Sequence, residues 1–543
     1  MKKSCARWFS GVLLCCCLLN LFLSGCGQKS VADGYFRVDI SADPDTLDPQ
    51  TATGQTAQMI LENCMEGLYR MDSQGNPEPA LAQNCSVSED GLAYTFTIRT
   101  DSVWYQPKQN GSQSQQDALP VTAADFVFAF QRLFDPATGS AAAQDFSCLE
   151  NAQEVLSGQL PAASLGVSAP DETTLILRLS HPNENLLSLL ATTAAYPCNQ
   201  QLFDSSGGRY GLEADTLWYN GPFYILEWNH DKNVVTRRNS SYYDADSILP
   251  AGVSFYCYES DTFVSRFLEG ETDAVSFDGS SLQLFTDAGY EPAGFQDTTW
   301  TLLFYEGHSV LQNRNIRLAL CQTMDLSSLA RALPEDYAAA GSLVPGCVEQ
   351  DGQRYLDQYP QSLNLPFDLQ AASASLQTGL AEAGLSRFPA CTVLVPESGS
   401  HSLLMSLVQP VWQKQLLCFI NIQKLSMDDL QTALTDGFDM ALVPFQTNYN
   451  SPGSVLQHFV SGAQGNVIGY SNSQYDALLQ QAAASSSKEE AQACYRQAEQ
   501  LLISDGAVVP MYFSSTYYVM AKGVTGIRFS PFGGRMDFRY AGK

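Results

Sequence analysis

The sequence predicts an α/β protein built as two or three lobes, and three observations carry this. The chain has 543 residues, more than one hydrophobic core organises. Runs that alternate apolar and polar residues are interspersed with runs at helical spacing. The composition is 45% hydrophobic and 11% aromatic with only 16% charged residues, which is a packed protein and not an acidic disordered chain. No repeat of about 20–50 residues is visible, which sets solenoids and propellers aside.

Taken in order, the chain opens with Lys2, Lys3 and Arg7, then residues 11–23, apolar apart from Asn20. That run is a secretory h-region, short of the ~20 residues a spanning helix needs. No second apolar run approaches membrane length. Leu23-Ser24-Gly25-Cys26 follows and resembles a bacterial lipobox, in which the thiol of Cys26 is acylated and becomes the new N-terminus. The blander alternative is an ordinary secretion signal with an incidental cysteine. The expectation is a signal peptide over 1–25, a tether over 26–32, and a mature protein outside the cytoplasm, lipid-anchored to the cell membrane. Each buried methylene of the anchor contributes ~0.8 kcal/mol.

Residues 35–40 alternate and predict a strand. Residues 56–69 have helical spacing, and 92–99 predict a strand. Residues 105–119 hold five Gln among Asn, Gly and Ser and predict a polar insertion. Thr122 with Asp125 three residues on resembles a capping box, opening a helix that carries Phe126, Phe128, Phe130 and Leu133. Strands are predicted at 173–179, 253–258, 391–395 and 419–425. Helices are predicted at 312–333, 370–384, 402–417 despite Pro410, and 488–504.

Net charge is −28, and becomes −31 once Lys2, Lys3 and Arg7 leave with the signal. Such a field repels nucleic acid, so no nucleic-acid partner is expected. Ten cysteines follow Cys26, widely spaced and with no C-x-x-C pair, so zinc-ribbon and thioredoxin chemistry is not expected. Their apolar neighbours predict mostly buried free thiols, with disulfides left open. There is no G-x-S-x-G, H-E-x-x-H or P-loop, and the five His are far apart. The reading is therefore no enzyme, no cofactor and no metal.

From Asp45 onward the motifs fall in the order of a known family. They include Asp45-Thr46-Leu47-Asp48-Pro49, Glu66-Gly67-Leu68-Tyr69, Pro79-Ala80-Leu81-Ala82, Arg132-Leu133-Phe134-Asp135-Pro136, Asn220-Gly221-Pro222-Phe223, Ala498-Glu499-Gln500 and Val509-Pro510-Met511-Tyr512. In this series the chain resembles the peptide-binding solute receptors of ABC importers, over roughly residues 35–541. The resemblance implies a two-lobed periplasmic-binding-protein clamshell, type II-like, with an extra subdomain. Lobe I would combine 33–65, 199–297 and 507–543, subdomain II would be 66–198, and lobe III 298–506. Hinges would lie near Asp297 and Ala507. Implied partners are a peptide or peptide-like ligand, membrane permease subunits, and lipid through acylated Cys26, with the receptor a monomer.

The resemblance also implies site residues. Thr53-Gly54-Gln55 matches a loop whose backbone pairs with an extended ligand. His401 matches a histidine used near a peptide C-terminus. Phe445-Gln446-Thr447-Asn448-Tyr449-Asn450 matches the segment that holds the ligand's α-ammonium, with Asn448 at the acidic position and Phe445 at the tryptophan position. Either Asn448 is a neutral anchor or another acid nearby supplies the charge. Leu442 stands where relatives place an arginine for the ligand carboxylate, and Ala142 where they place a pocket tyrosine. Competing readings are a receptor for a nickel chelate, haem or an opine-like solute, or a surface peptide sensor in signalling.

Overall fold

The alternating runs become strands of three sheets in the computed structural model, which describes residues 34–106, 119–307, 310–350, 352–463, 465–485 and 487–543. The signal segment, Cys26 and residues 107–118 of the polar insertion lie outside the described residues. The main elements begin with β1 (Tyr35–Ile40), α1 (Gln55–Cys64), β2 (Ala82–Val87), β3 (Ala93–Ile98), α2 (Ala123–Phe134), β4 (Val167–Ser168) and β5 (Thr174–Arg178). They continue with β6 (Phe223–Asn229), β7 (Asn233–Arg238), β8 (Gly252–Cys257), β9 (Ala274–Asp278), β10 (Ala293–Phe304), α3 (Arg314–Gln322) and α4 (Leu369–Glu382). The rest are β11 (Cys391–Pro396), α5 (His401–Gln415), β12 (Ile420–Leu425), β13 (Met440–Gln446), α6 (Lys488–Ser504) and β14 (Val508–Met520).

The first sheet has the order β1-β8-β7-β6, with β1 parallel to β8. The second is antiparallel, β2-β3-β5-β4. The third runs β9-β14-β10-β13-β11-β12. One apolar core, with Phe36, Phe96, Phe126 and Phe255 among its members, serves the first two sheets. Two further cores take alternate residues of β10, with Trp300, Leu302 and Phe304 in one and Leu303 in the other. Residues 297–304 of β10 are continuously buried, as expected of a strand covered on both faces.

Local chemistry explains the element ends. Asp125 accepts hydrogen bonds from the Thr122 N–H at 2.8 Å, the Thr122 hydroxyl at 3.1 Å and Trp104 Nε1 at 3.2 Å, which ties the start of α2 to the core. Ser487 caps α6, accepting from the Glu490 N–H, and Glu489 and Glu490 sit in its first turn, where the helix dipole favours acids.

Two helices are shorter than their spacing predicts. The helix expected over 56–69 ends at Cys64, because Met65 is extended at φ −133°, ψ 163°. The Glu66 N–H is taken by Asn220 Oδ1 at 3.0 Å, and Asn220 Nδ2 returns a bond to the Glu66 carbonyl at 2.9 Å. Tyr69 then pairs in a short strand with Pro79. The helix expected over 312–333 breaks after Gln322, since Asp325 caps a second short helix by accepting from the Ser328 N–H at 3.0 Å.

Several motifs meet as buried scaffold. Asp48 binds Arg132 at 2.5 Å, and the guanidinium also lies 4.0 Å from the Phe203 ring centroid. Glu66 receives Arg539 at 2.9 Å and the Tyr242 hydroxyl at 2.8 Å. Gly221 lies so close to α1 that a Cβ would come within 2.6 Å of the Cys64 backbone. Glu499, fully buried, accepts from the Ser342 hydroxyl and the Leu343 N–H, both at 2.6 Å. The ten cysteines from Cys64 to Cys494 are free, six of them buried.

β10 and β14 are the longest of these strands, and their ladder changes register between Phe295 and Thr298 and again at Trp300. Asp297 sits at the first irregularity, fully buried. It pairs with the guanidinium of Arg535 and accepts from the Thr516 hydroxyl at 3.2 Å. Arg535 itself takes φ 72°, a left-handed conformation costly for a side chain larger than glycine. Removing one member of a buried pair strands the other without a counter-charge. Asp297→Ala is expected to lower stability by about 3–5 kcal/mol, read as a lower urea midpoint, with Asp297→Asn milder.

Candidate functional site

A cavity of about 730 Å³ is walled by residues distant in sequence. The end of β1 contributes Asp39 and Ile40, α1 contributes Gln55 and Met59, and the third sheet contributes Trp300, Gln446 and Thr516. His401, the first residue of α5, lies against the Trp300 ring at 3.8 Å between centroids. Its Nδ1 is 2.6 Å from the Tyr512 hydroxyl. Burial pushes the His401 pKa down to about 4, so the ring is neutral near pH 7 and works as a hydrogen-bonding aromatic surface. Arg535 lines the same cavity, but its charge is engaged by Asp297.

A second cavity, about 210 Å³, gathers Thr53, Glu62, Ala142, Asp145, Asn448 and His458. Helix α1 separates the two chambers: Met59 faces the first, Gln58 and Glu62 the second. No Lys or Arg is among the residues lining this smaller chamber. Burial raises Glu62 to about 8 and Asp145 to about 7, and it lowers His458. Glu62 accepts from the Gly534 N–H at 2.9 Å, and Asp145 from Gln457 Nε2 at 2.8 Å. The Asn448 side chain is exposed, while its N–H donates to Ser454 Oγ at 3.0 Å. The chamber thus offers carboxyls and an amide, a set suited to a cationic or hydrogen-bond-donating group.

The expected site residues separate into groups. Gln55, His401 and Gln446 line the large cavity, whereas Thr53 and Asn448 line the small one. Gly54 caps α1 in an extended conformation, with open space where a Cβ would stand. Phe445 packs against Phe459 and His458, at 5.4 and 6.1 Å. Tyr449 is buried and lines a third cavity of about 300 Å³. Asn450 Oδ1 accepts from the Glu349 N–H at 2.9 Å, joining two loops. Leu442 is fully buried in the core beneath β13, four residues from Gln446. Sequence reasoning missed Asp39, Glu62, Asp145 and Trp300. Asp39 alone had a local signal, as a polar residue within a strand whose neighbours are buried. Among the described residues no group of three His, Cys, Asp or Glu could hold a metal ion.

Comparisons with known proteins agree with this architecture. A family model described as bacterial extracellular solute-binding proteins, family 5 middle, matches residues 76–467. The dipeptide-binding protein DppE of Bacillus subtilis is 27% identical over 521 residues, covering 95% of this chain and 93% of its own. A crystal structure of the substrate-binding domain of an oligopeptide ABC transporter from Bacillus anthracis superposes with a TM-score of 0.80 at 26% identity, over 94% of this chain and 99% of that one. The pheromone receptor PrgZ, solved to show its mode of peptide binding, gives 0.79 at 27% identity with the same coverage. The fold is accordingly the two-lobed clamshell.

The raised carboxyls make stability pH-dependent. Glu62 ionises near 4.5 when unfolded and near 8 when folded. Above pH 4.5 the unfolded chain therefore loses its proton first, and stability falls until about pH 8, by at most ~1.4 kcal/mol per pH unit. Glu62→Gln is expected to flatten that fall in ligand-free protein, measured as melting temperature between pH 5 and 8.

Proposed function

The chain belongs to the bacterial extracellular solute-binding proteins of family 5, and from that premise we propose that it is the receptor of an ABC importer, capturing peptides in the interlobe cleft and delivering them to a membrane permease. The observation that carries this reading is the cavity of about 730 Å³, walled by the end of β1, by α1 and by strands of the third sheet, and of the size that small ligands occupy. Relatives named for dipeptides, oligopeptides and a peptide pheromone support the same ligand class.

The geometry suggests how a peptide is held. The backbone at Thr53-Gly54-Gln55 offers strand-like pairing, which ignores ligand sequence, and the space beside Gly54 is open. Neutral His401 and Trp300 offer an aromatic surface. Asn448 acts as a neutral anchor for the ligand's amino end, with Glu62 and Asp145 on the same chamber. Lobe I comprises 33–65, 199–297 and 507–543, subdomain II 66–198, and lobe III 298–506. Closure turns on the crossings near Asp297 and Ala507, and the ladder of β10 and β14 is irregular beside the first of them. Ligand then shifts the population toward the closed form. Cys26, acylated, keeps the receptor beside its permease. Binding, not catalysis, is its activity.

Native mass spectrometry of protein gently extracted from membranes tests both ends of the proposal. The expected masses are a covalent acyl group on Cys26 and a noncovalent peptide. A chain without acyl mass overturns the anchor, and recovery of only metal complexes, haem or sugars overturns the peptide reading. A bond to a charged group is worth ~1.5–3 kcal/mol against ~1 for a neutral one. Asn448→Asp is therefore expected to tighten free-amine peptides about tenfold by titration calorimetry, and an unchanged affinity removes Asn448 from the site.

A further inference from the structure

We propose that the large cavity seats a basic side chain of the captured peptide, so that the receptor favours arginine- or lysine-bearing peptides; this rests on the peptide reading. Three carboxylates line the cavity: Asp39, Asp261 and Asp278. The lining cation, Arg535, is committed to buried Asp297. Asp39 is only 8% exposed. Its Oδ2 receives Arg266 Nε at 2.9 Å, while its Oδ1 has no hydrogen-bond partner. Asp39 is thus partly engaged by Arg266, while Asp261 and Asp278 stand exposed in the same wall.

The same cavity has aromatic side chains in its wall. Trp300, Tyr337 and Tyr518 line the same cavity, and the Tyr337 hydroxyl, pushed up mainly by burial, also feels the nearby Asp336 and Asp278. Ring faces beside carboxylates are the surroundings in which a guanidinium or ammonium is held by ion pairing and by cation–π attraction together. His401 adds no opposing charge, since it is neutral at pH 7. The chain's net charge of −28 draws cations toward the cleft and slows the approach of acidic peptides.

Titration calorimetry on the full-length protein in mild detergent tests this with matched pentapeptides. In them each position in turn carries arginine, the neutral norleucine, or glutamate. Arginine is expected to bind about tenfold tighter than norleucine at one position at least. That advantage should shrink as salt rises from about 50 to about 500 mM. It should also shrink in the double variant Asp261→Asn, Asp278→Asn, whose sites are exposed, because arginine peptides lose more affinity there than norleucine peptides do. Norleucine or glutamate binding as tightly as arginine at every position overturns the proposal and leaves the peptide reading standing. Binding of no peptide at all overturns both.

Discussion

Arg535 and Asp297 meet where β10 and β14 lose register, both shut away from water. Phe295 and Tyr518, at one end of this ladder, pack on the first core, while Leu302 and Val509, at the other end, pack in a core of the third sheet, so the relation of one side of the molecule to the other runs through this kink. An ion pair so placed has one arrangement that satisfies it. Asp297 also holds the Thr516 hydroxyl, so β10, β14 and the C-terminal segment are joined through one carboxylate. The left-handed backbone at Arg535 persists because the pair and the surrounding turn determine it. The same arginine is part of the wall of the large cavity.

The remaining buried charges follow the same logic at longer range. Asp48 with Arg132, and Glu66 with Arg539, each unite segments separated by many residues. Buried ions of this kind rarely add net stability over apolar substitutes, but losing one partner is severe. Their effect is to tie together segments that are distant in sequence. That explains why the family's motifs are scaffold more than contact: they place α1, β10 and the 533–535 turn, and those elements form the two chambers.

The chambers differ in chemistry because of what α1 presents to each. Its Met59 side meets aromatic rings and a neutral histidine, while its Glu62 side meets Asp145 and Asn448. A carboxyl that burial keeps protonated near neutral pH is a poor counter-charge until a cation arrives and favours its ionised form. The small chamber therefore sets two such carboxyls beside the amide of Asn448.

The sequence by itself determined the class and most elements. Strand alternation at 35–40, the Thr122–Asp125 cap and the Ser487 start of α6 are local signals, written within a few residues of one another, and the ordered motifs identified the two-lobed family. Tertiary structure decided where α1 stops, because Asn220 takes the Glu66 N–H from far along the chain. It also decided that Leu442 faces core while Gln446 faces the cavity, and that Asp39, Glu62 and Asp145 border the chambers. Periodicity states which face of an element is apolar but not which distant element covers the other face. The site's chemistry is set by that pairing, so it became visible only once the lobes were assembled.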